Sequence, residues 1–191
     1  MYNFYAYISR MKYINRWSLM RSTVIENIQE HSHMVAVLAH ALAVIRRDVF
    51  HEPCDPDRCA AAALFHDATE IFTGDLPTPI KYYSPTIREA YHQVEDVAAQ
   101  KLLDMLPEEM RPAYRPLLRE EDEAVRPIVK AADKLAAHIK CLEELKAGNN
   151  EFGDAAGETL ASLRAMGMKE ADWFLAHFGE AFGLTLDGLQ K

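Results

Sequence analysis

Apolar side chains recur every three or four residues along most of the chain, which is the spacing of one buried helix face. Between residues 27 and 47, for example, Val35, Leu38, Leu42 and Ile45 share a face. Comparable patterns predict helices over residues 2–13, 56–72, 84–105, 127–146, 152–166 and 168–180, and no stretch alternates as a strand does. The 191 residues are 49% hydrophobic, which allows a sizeable core. The sequence therefore predicts an all-α fold, with residues 1–191 forming a single domain.

The charge and the cysteines limit the kinds of partner and compartment. The formal net charge is −8, which disfavours a broad nucleic-acid footprint or a polybasic membrane surface. No apolar run approaches the roughly 20 residues that span a bilayer. Cys54, Cys59 and Cys141 form no dense framework, and free thiols suit a reducing compartment. We expect a cytoplasmic protein with no nucleic-acid or membrane partner.

The stretch from Ala63 to Glu70 sets three polar residues into a mostly apolar run. On a continuous helix, Glu70 lies four residues after His66 and three after Asp67, so the three side chains converge on one patch. An imidazole and a carboxylate are common ligands of divalent cations, and a further carboxylate can transfer protons. Taken alone, such a triplet is also typical of an ordinary surface helix.

Of the histidines on its predicted helix, only His31 is placed on the inward-facing side by the helical spacing. It lies one turn before Val35, on the apolar face, whereas His33 and His40 lie off that face. Burial favours either a core histidine with one hydrogen bond or a metal ligand.

Asp133 lies on a helix face of small and apolar residues that includes Ala136 and Ala137. A carboxylate there needs a partner, because an unpaired buried charge is costly. Lys134 or Lys140 could supply a salt bridge, and a metal ion would supply a stronger reason. Two imidazoles and two carboxylates then form a mixed nitrogen and oxygen set suited to a divalent cation. These four candidate ligands are His31, His66, Asp67 and Asp133.

Two loops carry the candidate substrate contacts. Arg16 offers a planar fork for phosphate and Trp17 a rigid wall, although an exposed arginine beside a core tryptophan is the simpler interpretation. The segment Leu76-Pro77-Thr78-Pro79 is predicted as a stiff, non-helical strap, because each proline restricts its own backbone and that of the preceding residue. Asp75 and Thr78 are its polar candidates.

Taken together, these motifs resemble the HD-domain metal-dependent phosphohydrolases, and among them the bacterial 5′-deoxynucleotidases. The resemblance covers residues from about 4 to 180. It rests on these runs in this order: Asn15-Arg16-Trp17, Glu26-Asn27, Glu30-His31-Ser32, His66-Asp67-Ala68-Thr69-Glu70, Thr73-Gly74-Asp75-Leu76-Pro77-Thr78-Pro79 and Cys141-Leu142-Glu143-Glu144.

The resemblance implies an all-helical HD-type domain that is usually a homodimer. It also implies metal-dependent release of phosphate from 2′-deoxyribonucleoside 5′-monophosphates, and the mixed ligand set suits Co, Mn, Mg, Zn or a similar divalent cation. The residues that match the metal ligands are His31, His66, Asp67 and Asp133.

The same resemblance assigns roles around the substrate. Arg16 and Trp17 match the pair that orients the phosphate, and Glu70 matches the residue beside the attacking water. Asp75 is a second candidate for proton transfer, and Asp67 is also counted with the catalytic set. The residues expected near the substrate are Arg16, Trp17, His31, Asp67, Asp75, Leu76, Pro77, Thr78 and Asp133.

Three other interpretations remain at this point. A pyrophosphohydrolase or triphosphohydrolase is disfavoured, because only Arg16 has a clear place in the phosphate region and the chain is acidic. A non-catalytic nucleotide-binding regulatory domain would have lost a ligand, and all four are present. A purely structural interpretation makes His31 and Asp133 core residues with local partners.

Overall fold

The computed structural model describes residues 1–81, 83–119 and 121–190, apart from the side chain of Thr78. Within these residues the regular structure is helical, and the one strand-like contact is an antiparallel bridge between Asn15 and Asn27. The all-α prediction is confirmed. None of the described helices is both long and apolar enough to cross a membrane. The α-helices are α1 (Phe4–Ile8), α2 (Ile28–Val44), α3 (Pro56–Ala63), α4 (Glu70–Thr73), α5 (Thr78–Lys81), α6 (Pro85–Asp104), α7 (Arg111–Arg119), α8 (Arg126–Lys146), α9 (Gly153–Ala165), α10 (Lys169–Phe178) and α11 (Leu186–Leu189).

Polar caps fix where the long helices begin. The Asn27 side chain accepts hydrogen bonds from the first turn of α2, and Glu30 bonds back to the Asn27 amide. At the starts of α3 and α6, the side chains of Asp55 and Ser84 each accept one hydrogen bond from a first-turn amide, and each is followed by a proline. The predicted helices over 84–105, 127–146, 152–166 and 168–180 correspond to α6, α8, α9 and α10 within a few residues.

Helices α2, α3, α8, α9 and α10 contribute to the largest core cluster. Small residues on α8, including Ala131, Ala132 and Ala136, are almost fully buried and allow its backbone to approach α2 closely. This packing sets Asp133 on α8 opposite His31 on α2. The fold thereby joins two candidate ligands that are far apart in sequence.

The predicted continuous helix over 56–72 is wrong. Helix α3 ends at Ala63 and α4 begins at Glu70, with tight turns between them whose amides mostly bond carbonyls three residues back. His66 Nδ1 lies 2.7 Å from the Ala63 carbonyl oxygen, the acceptor that a continued helix would offer to the Asp67 amide. The histidine ring therefore replaces a backbone bond, and the chain turns at the candidate site.

The prediction of a non-helical strap over 76–79 is wrong in its second half. Leu76 and Pro77 are non-helical, but α5 begins at Thr78. Pro79 is tolerated because amides in the first turn of a helix need no intrahelical acceptor. The Lys81 amide donates to the Pro77 carbonyl at 3.1 Å, which closes this short turn.

Candidate functional site

Four of the sequence-predicted residues meet at one point of the fold. His31 comes from α2, Asp133 from α8, and His66 and Asp67 from the turns between α3 and α4. One ligand atom each from His31, His66 and Asp133 lies within 4.8 Å of the others. His31 Nε2 is 3.0 Å from Asp133 Oδ1, and His66 Nε2 is 3.1 Å from Asp67 Oδ2. The side chains of His31, His66 and Asp133 can therefore face one centre, and Asp67 Oδ2 lies beside them, 3.8 Å from His31 Nε2.

The hydrogen bonding of the His66 imidazole suits metal binding. His66 Nδ1 donates to the Ala63 carbonyl, which leaves a lone pair on Nε2 facing the cluster. That buried Nε2 has no geometrically good hydrogen bond within the described residues, despite its closeness to Asp67. Two ligand atoms that each lie about 2.0–2.2 Å from one ion, at right angles, are roughly 3 Å apart. The 3.0 Å between His31 and Asp133 and the 3.1 Å between His66 and Asp67 therefore fit coordination of a divalent cation.

Cationic neighbours keep both carboxylates of the cluster ionised. Burial raises the pKa of Asp67, but His66, His31 and Arg16 outweigh burial and lower the pKa to about 2. The pKa of Asp133 is likewise held below its usual range by His31 despite burial. Burial lowers the pKa of His66, yet Asp67 and Asp133 raise it to about 9. Without a cation, protonated imidazole and guanidinium groups balance two ionised carboxylates.

Arg16 and Trp17 reach the cluster from the loop before α2. Arg16 Nη1 lies 3.4 Å from Asp67 Oδ2. A single oxygen of Glu26, Oε2, accepts from Arg16 Nε at 3.1 Å and from Trp17 Nε1 at 3.0 Å. The Trp17 ring packs on Phe152 with centroids 5.3 Å apart. The sequence motif includes Glu26 but assigns it no role, because only the folded loop brings its carboxylate to Arg16 and Trp17.

Glu70 and Asp75 are the two further carboxyl groups beside the cluster. Glu70 is 6% exposed, and its Oε2 has no hydrogen-bond partner within the described chain. Burial, Asp67 and Asp75 raise the pKa of Glu70 to about 9. Burial also raises the pKa of Asp75, while Arg16 and the Trp17 backbone amide act in the opposite direction. Both groups therefore lie within electrostatic reach of Asp67.

The remaining predicted strap residues are only partly located. Leu76 and Pro77 are half-buried in the segment that leaves α4. The side chain of Thr78 lies outside the described part of the structure. Gly74, at a φ of 72°, turns the chain from α4 into this segment, a backbone conformation that glycine adopts without strain.

A cleft of about 640 Å³ opens onto the cluster and is lined by His66, Asp67 and Asp133. Cationic side chains to which the sequence analysis gave no substrate role also line it. Three of them recur every fourth residue on α8, a spacing that could have indicated one shared face. These cleft cations are Lys81, Arg119, Arg126, Lys130 and Lys134.

Sequence comparison finds one family over nearly the whole chain. The model of the family "5′-deoxynucleotidase YfbR-like" matches residues 3–182. A 5′-deoxynucleotidase from Erwinia tasmaniensis is 48% identical, with 99% of this chain and 96% of the relative covered. The 5′-deoxynucleotidase YfbR of Salmonella newport is 47% identical with the same coverage.

Solved structures share the fold at lower identity. An HD-domain phosphohydrolase from Listeria innocua aligns with a TM-score of 0.77 and 23% identity, covering 99% of this chain and 92% of that one. The HD phosphohydrolase of cyanophage S-2L, solved with dA and one catalytic Zn²⁺ ion, aligns with a TM-score of 0.67 and 21% identity, covering 94% and 96%. Both likenesses support the helical HD-domain fold.

Proposed function

We propose, since the chain belongs to the YfbR-like 5′-deoxynucleotidase family, that it hydrolyses 2′-deoxyribonucleoside 5′-monophosphates to deoxyribonucleosides and phosphate. The observation that carries this proposal is the convergence of two imidazoles and two carboxylates beside the guanidinium of Arg16. A phosphate dianion requires concentrated positive charge and a positioned water molecule. The cluster and Arg16 can provide both.

The four converging side chains are the proposed metal ligands: His31, His66, Asp67 and Asp133. A divalent cation bound there would neutralise charge on a phosphoryl oxygen and lower the pKa of a water molecule. Zn, Co, Mn and Mg are all compatible with two nitrogen and two oxygen ligands. The exposed edge of the cluster in the cleft leaves room for substrate and water.

Arg16 is the proposed phosphate-binding residue. Its Nη1 already faces the carboxylate of Asp67, so an anion held beside Asp67 would lie within reach of the same fork. Trp17, Asp75 and the segment from Leu76 to Thr78 are proposed to lie against the nucleoside. Rejecting a ribose 2′-hydroxyl requires a close wall or an unpaired polar contact, and an indole held by Glu26 is a stiff wall.

Glu70 is the proposed proton acceptor, with Asp75 as the alternative. Positive charge placed in the cluster would lower the raised pKa of Glu70 towards neutrality, where a carboxyl group exchanges protons most effectively. The proton that leaves the attacking water is finally needed on the departing sugar oxygen. We infer that water attacks phosphorus directly, and trapping a phosphorylated side chain during turnover would contradict this.

The test is a phosphate-release panel with deoxy- and ribonucleoside monophosphates and several divalent cations. Release from dAMP, faster than from AMP, is the expected result. Asp67→Ala should abolish release while circular dichroism remains helical. Absence of phosphate release from every deoxynucleotide by the wild type would favour a non-catalytic nucleotide-binding domain instead.

A second candidate function is the hydrolysis of nucleotide tri- or tetraphosphates. It is favoured by the number of cleft cations, because the sequence argument against it counted only one arginine, Arg16, in the phosphate region. Two of them are already paired: Lys81 with Glu95 and Arg119 with Asp96. Comparing free phosphate and pyrophosphate released from dAMP and dATP separates the two candidates.

We also propose that the chain forms one domain over residues 1–191 and a cytoplasmic homodimer. Apolar residues are exposed along one side of α6 at intervals of seven and three residues, as in a helix seam. Ile87 is 38% exposed, Val94 49% and Val97 56%. Three free cysteines support a reducing compartment.

A further inference from the structure

Glu26 contacts both residues to which substrate recognition is assigned. We propose that Glu26 is a positioning residue whose single carboxylate fixes Arg16 and Trp17 together, so that phosphate binding and rejection of ribonucleotides depend on the same group. This inference rests on the function proposed above. It concerns how the site is held in shape and assigns Glu26 no contact with substrate.

The backbone around Glu26 is itself fixed to the helix that carries His31. The Arg16 amide donates to the Glu26 carbonyl at 2.9 Å, and the Ile28 amide donates to the Ile14 carbonyl at 3.0 Å. Glu26 directly precedes the cap of α2, and its side chain is 16% exposed. The carboxylate therefore has a defined position relative to the ligand cluster.

The contacts of Glu26 leave the substrate-facing atoms free. Arg16 Nε donates to Glu26 Oε2 and Nη1 lies 3.4 Å from Asp67 Oδ2, so Glu26 leaves the terminal nitrogens directed towards the cluster, where an anion could bind. The same Glu26 oxygen accepts a hydrogen bond from Nε1 of Trp17, and this bond fixes the plane of the indole ring. Trp17 has a φ of 58°, a conformation that a bulky residue rarely adopts unless its surroundings impose it. Pre-ordering both side chains removes an entropic cost of binding.

The far side of the same loop is held by other residues, so loss of Glu26 should not unfold it. The buried carboxylate of Glu144 accepts from the Thr23 amide at 2.8 Å and the Val24 amide at 3.2 Å. Lys140 pairs with Glu144 and also donates to the Val24 carbonyl. Glu26 can therefore be altered while the loop remains attached to α8.

The test compares Glu26→Ala, Glu26→Gln and Trp17→Phe with the wild type, using Glu158→Gln on the exposed side of α9 as the matched control. KM and kcat are measured for dAMP and AMP. Binding of inorganic phosphate and of deoxyadenosine is measured separately by calorimetry. The control variant should match the wild type in every measurement.

Each variant has its own expected result. Glu26→Ala should raise KM for dAMP about tenfold, the effect of one lost charge-assisted hydrogen bond, and should lower the dAMP to AMP preference, with a smaller change in kcat. Glu26→Gln keeps an acceptor for Trp17 but loses the charge facing Arg16, so it should weaken phosphate binding and retain the preference. Trp17→Phe should weaken deoxyadenosine binding without altering phosphate binding.

Wild-type phosphate and deoxyadenosine binding in both Glu26 variants would overturn the proposal. If Glu26→Ala loses its helical circular dichroism, Glu26→Gln and Trp17→Phe decide the question. A wild type that releases no phosphate from deoxynucleotides would refute the proposed function instead, so the two failures are distinguishable.

Discussion

Glu70 is a carboxyl group with little access to water and with carboxylates as its main charged neighbours. Its raised pKa arises from burial together with Asp67 and Asp75. Its Oε2 has no hydrogen-bond partner among the described residues, which is unusual for a structural residue because buried polar atoms are normally hydrogen-bonded. The proposed role in proton transfer would account for a buried carboxyl group at this place.

Replacing Glu70 by Gln should lower kcat for dAMP by at least about 100-fold, the usual contribution of general acid–base catalysis. Glutamine imitates the neutral carboxylic acid in size but cannot accept the proton. Steady-state kinetics check this, with Glu158→Gln as control. Wild-type kcat in Glu70→Gln would transfer the role to Asp75.

The pKa of Glu70 also predicts how stability depends on pH in the cation-free protein. The native state holds this proton up to about pH 9, whereas the unfolded chain releases it near the ordinary value of 4.5. The native state therefore binds more protons in this window, and Glu70 makes stability fall as pH rises through it. In thermal melts of the chelated proteins, the melting temperature of the wild type should fall relative to that of Glu70→Gln as the pH rises. Parallel pH profiles of the two melting temperatures would contradict this prediction.

Helix α2 shows what can be predicted at the scale of one element. Its apolar spacing was sufficient to predict the helix and to turn His31 inward, and the structure adds a cap formed by Asn27 and Glu30. Because the cap satisfies amides that otherwise lack acceptors, its loss should loosen the helix that carries a proposed ligand.

Asn27→Ala should lower the free energy of unfolding by about 1 kcal/mol, as expected for a lost N-cap. Asn3→Ala is the matched control, since Asn3 precedes α1 but makes no capping side-chain bond. Urea denaturation followed by circular dichroism measures both. Equal effects of the two substitutions would show that the cap contributes nothing.

The segment between α3 and α4 shows what the sequence could not predict. Its apolar spacing continues that of a helix, and the interruption depends on the His66 ring bonding to the Ala63 carbonyl. The Glu26 bonds to Arg16 and Trp17 and the pairing of His31 with Asp133 likewise depend on tertiary packing. Local periodicity reports which side chains face inward, but not which of them meet.

At the scale of the whole molecule, an acidic chain with a net charge of −8 places five cationic side chains among the four carboxylates that line one cleft. The cleft is therefore less negative than the chain as a whole, which reduces the repulsion that an anion meets there. The ligand cluster lies where α2, α8 and the α3–α4 turns meet, so the site depends on the assembled fold and not on one motif.

The exposed apolar side of α6 leads to a prediction about assembly. If the proposed dimer forms through this seam, Val94→Lys should convert it to a monomer, because the substitution places a charge in the centre of the seam. Light scattering after size exclusion gives the mass, and Glu158→Gln serves as control. A dimeric Val94→Lys variant would place the interface elsewhere. A monomeric wild type would exclude the proposed dimer.

The most direct test of the four-ligand site is phosphate release from dAMP after chelation and after stepwise return of a divalent cation. We expect activity to disappear on chelation and to recover with about one cation per chain in the wild type, because the four proposed ligands would form a single site. His66→Ala should not recover at the same cation concentration. Full activity after chelation, confirmed to be metal-free by elemental analysis, would contradict a metal-dependent site.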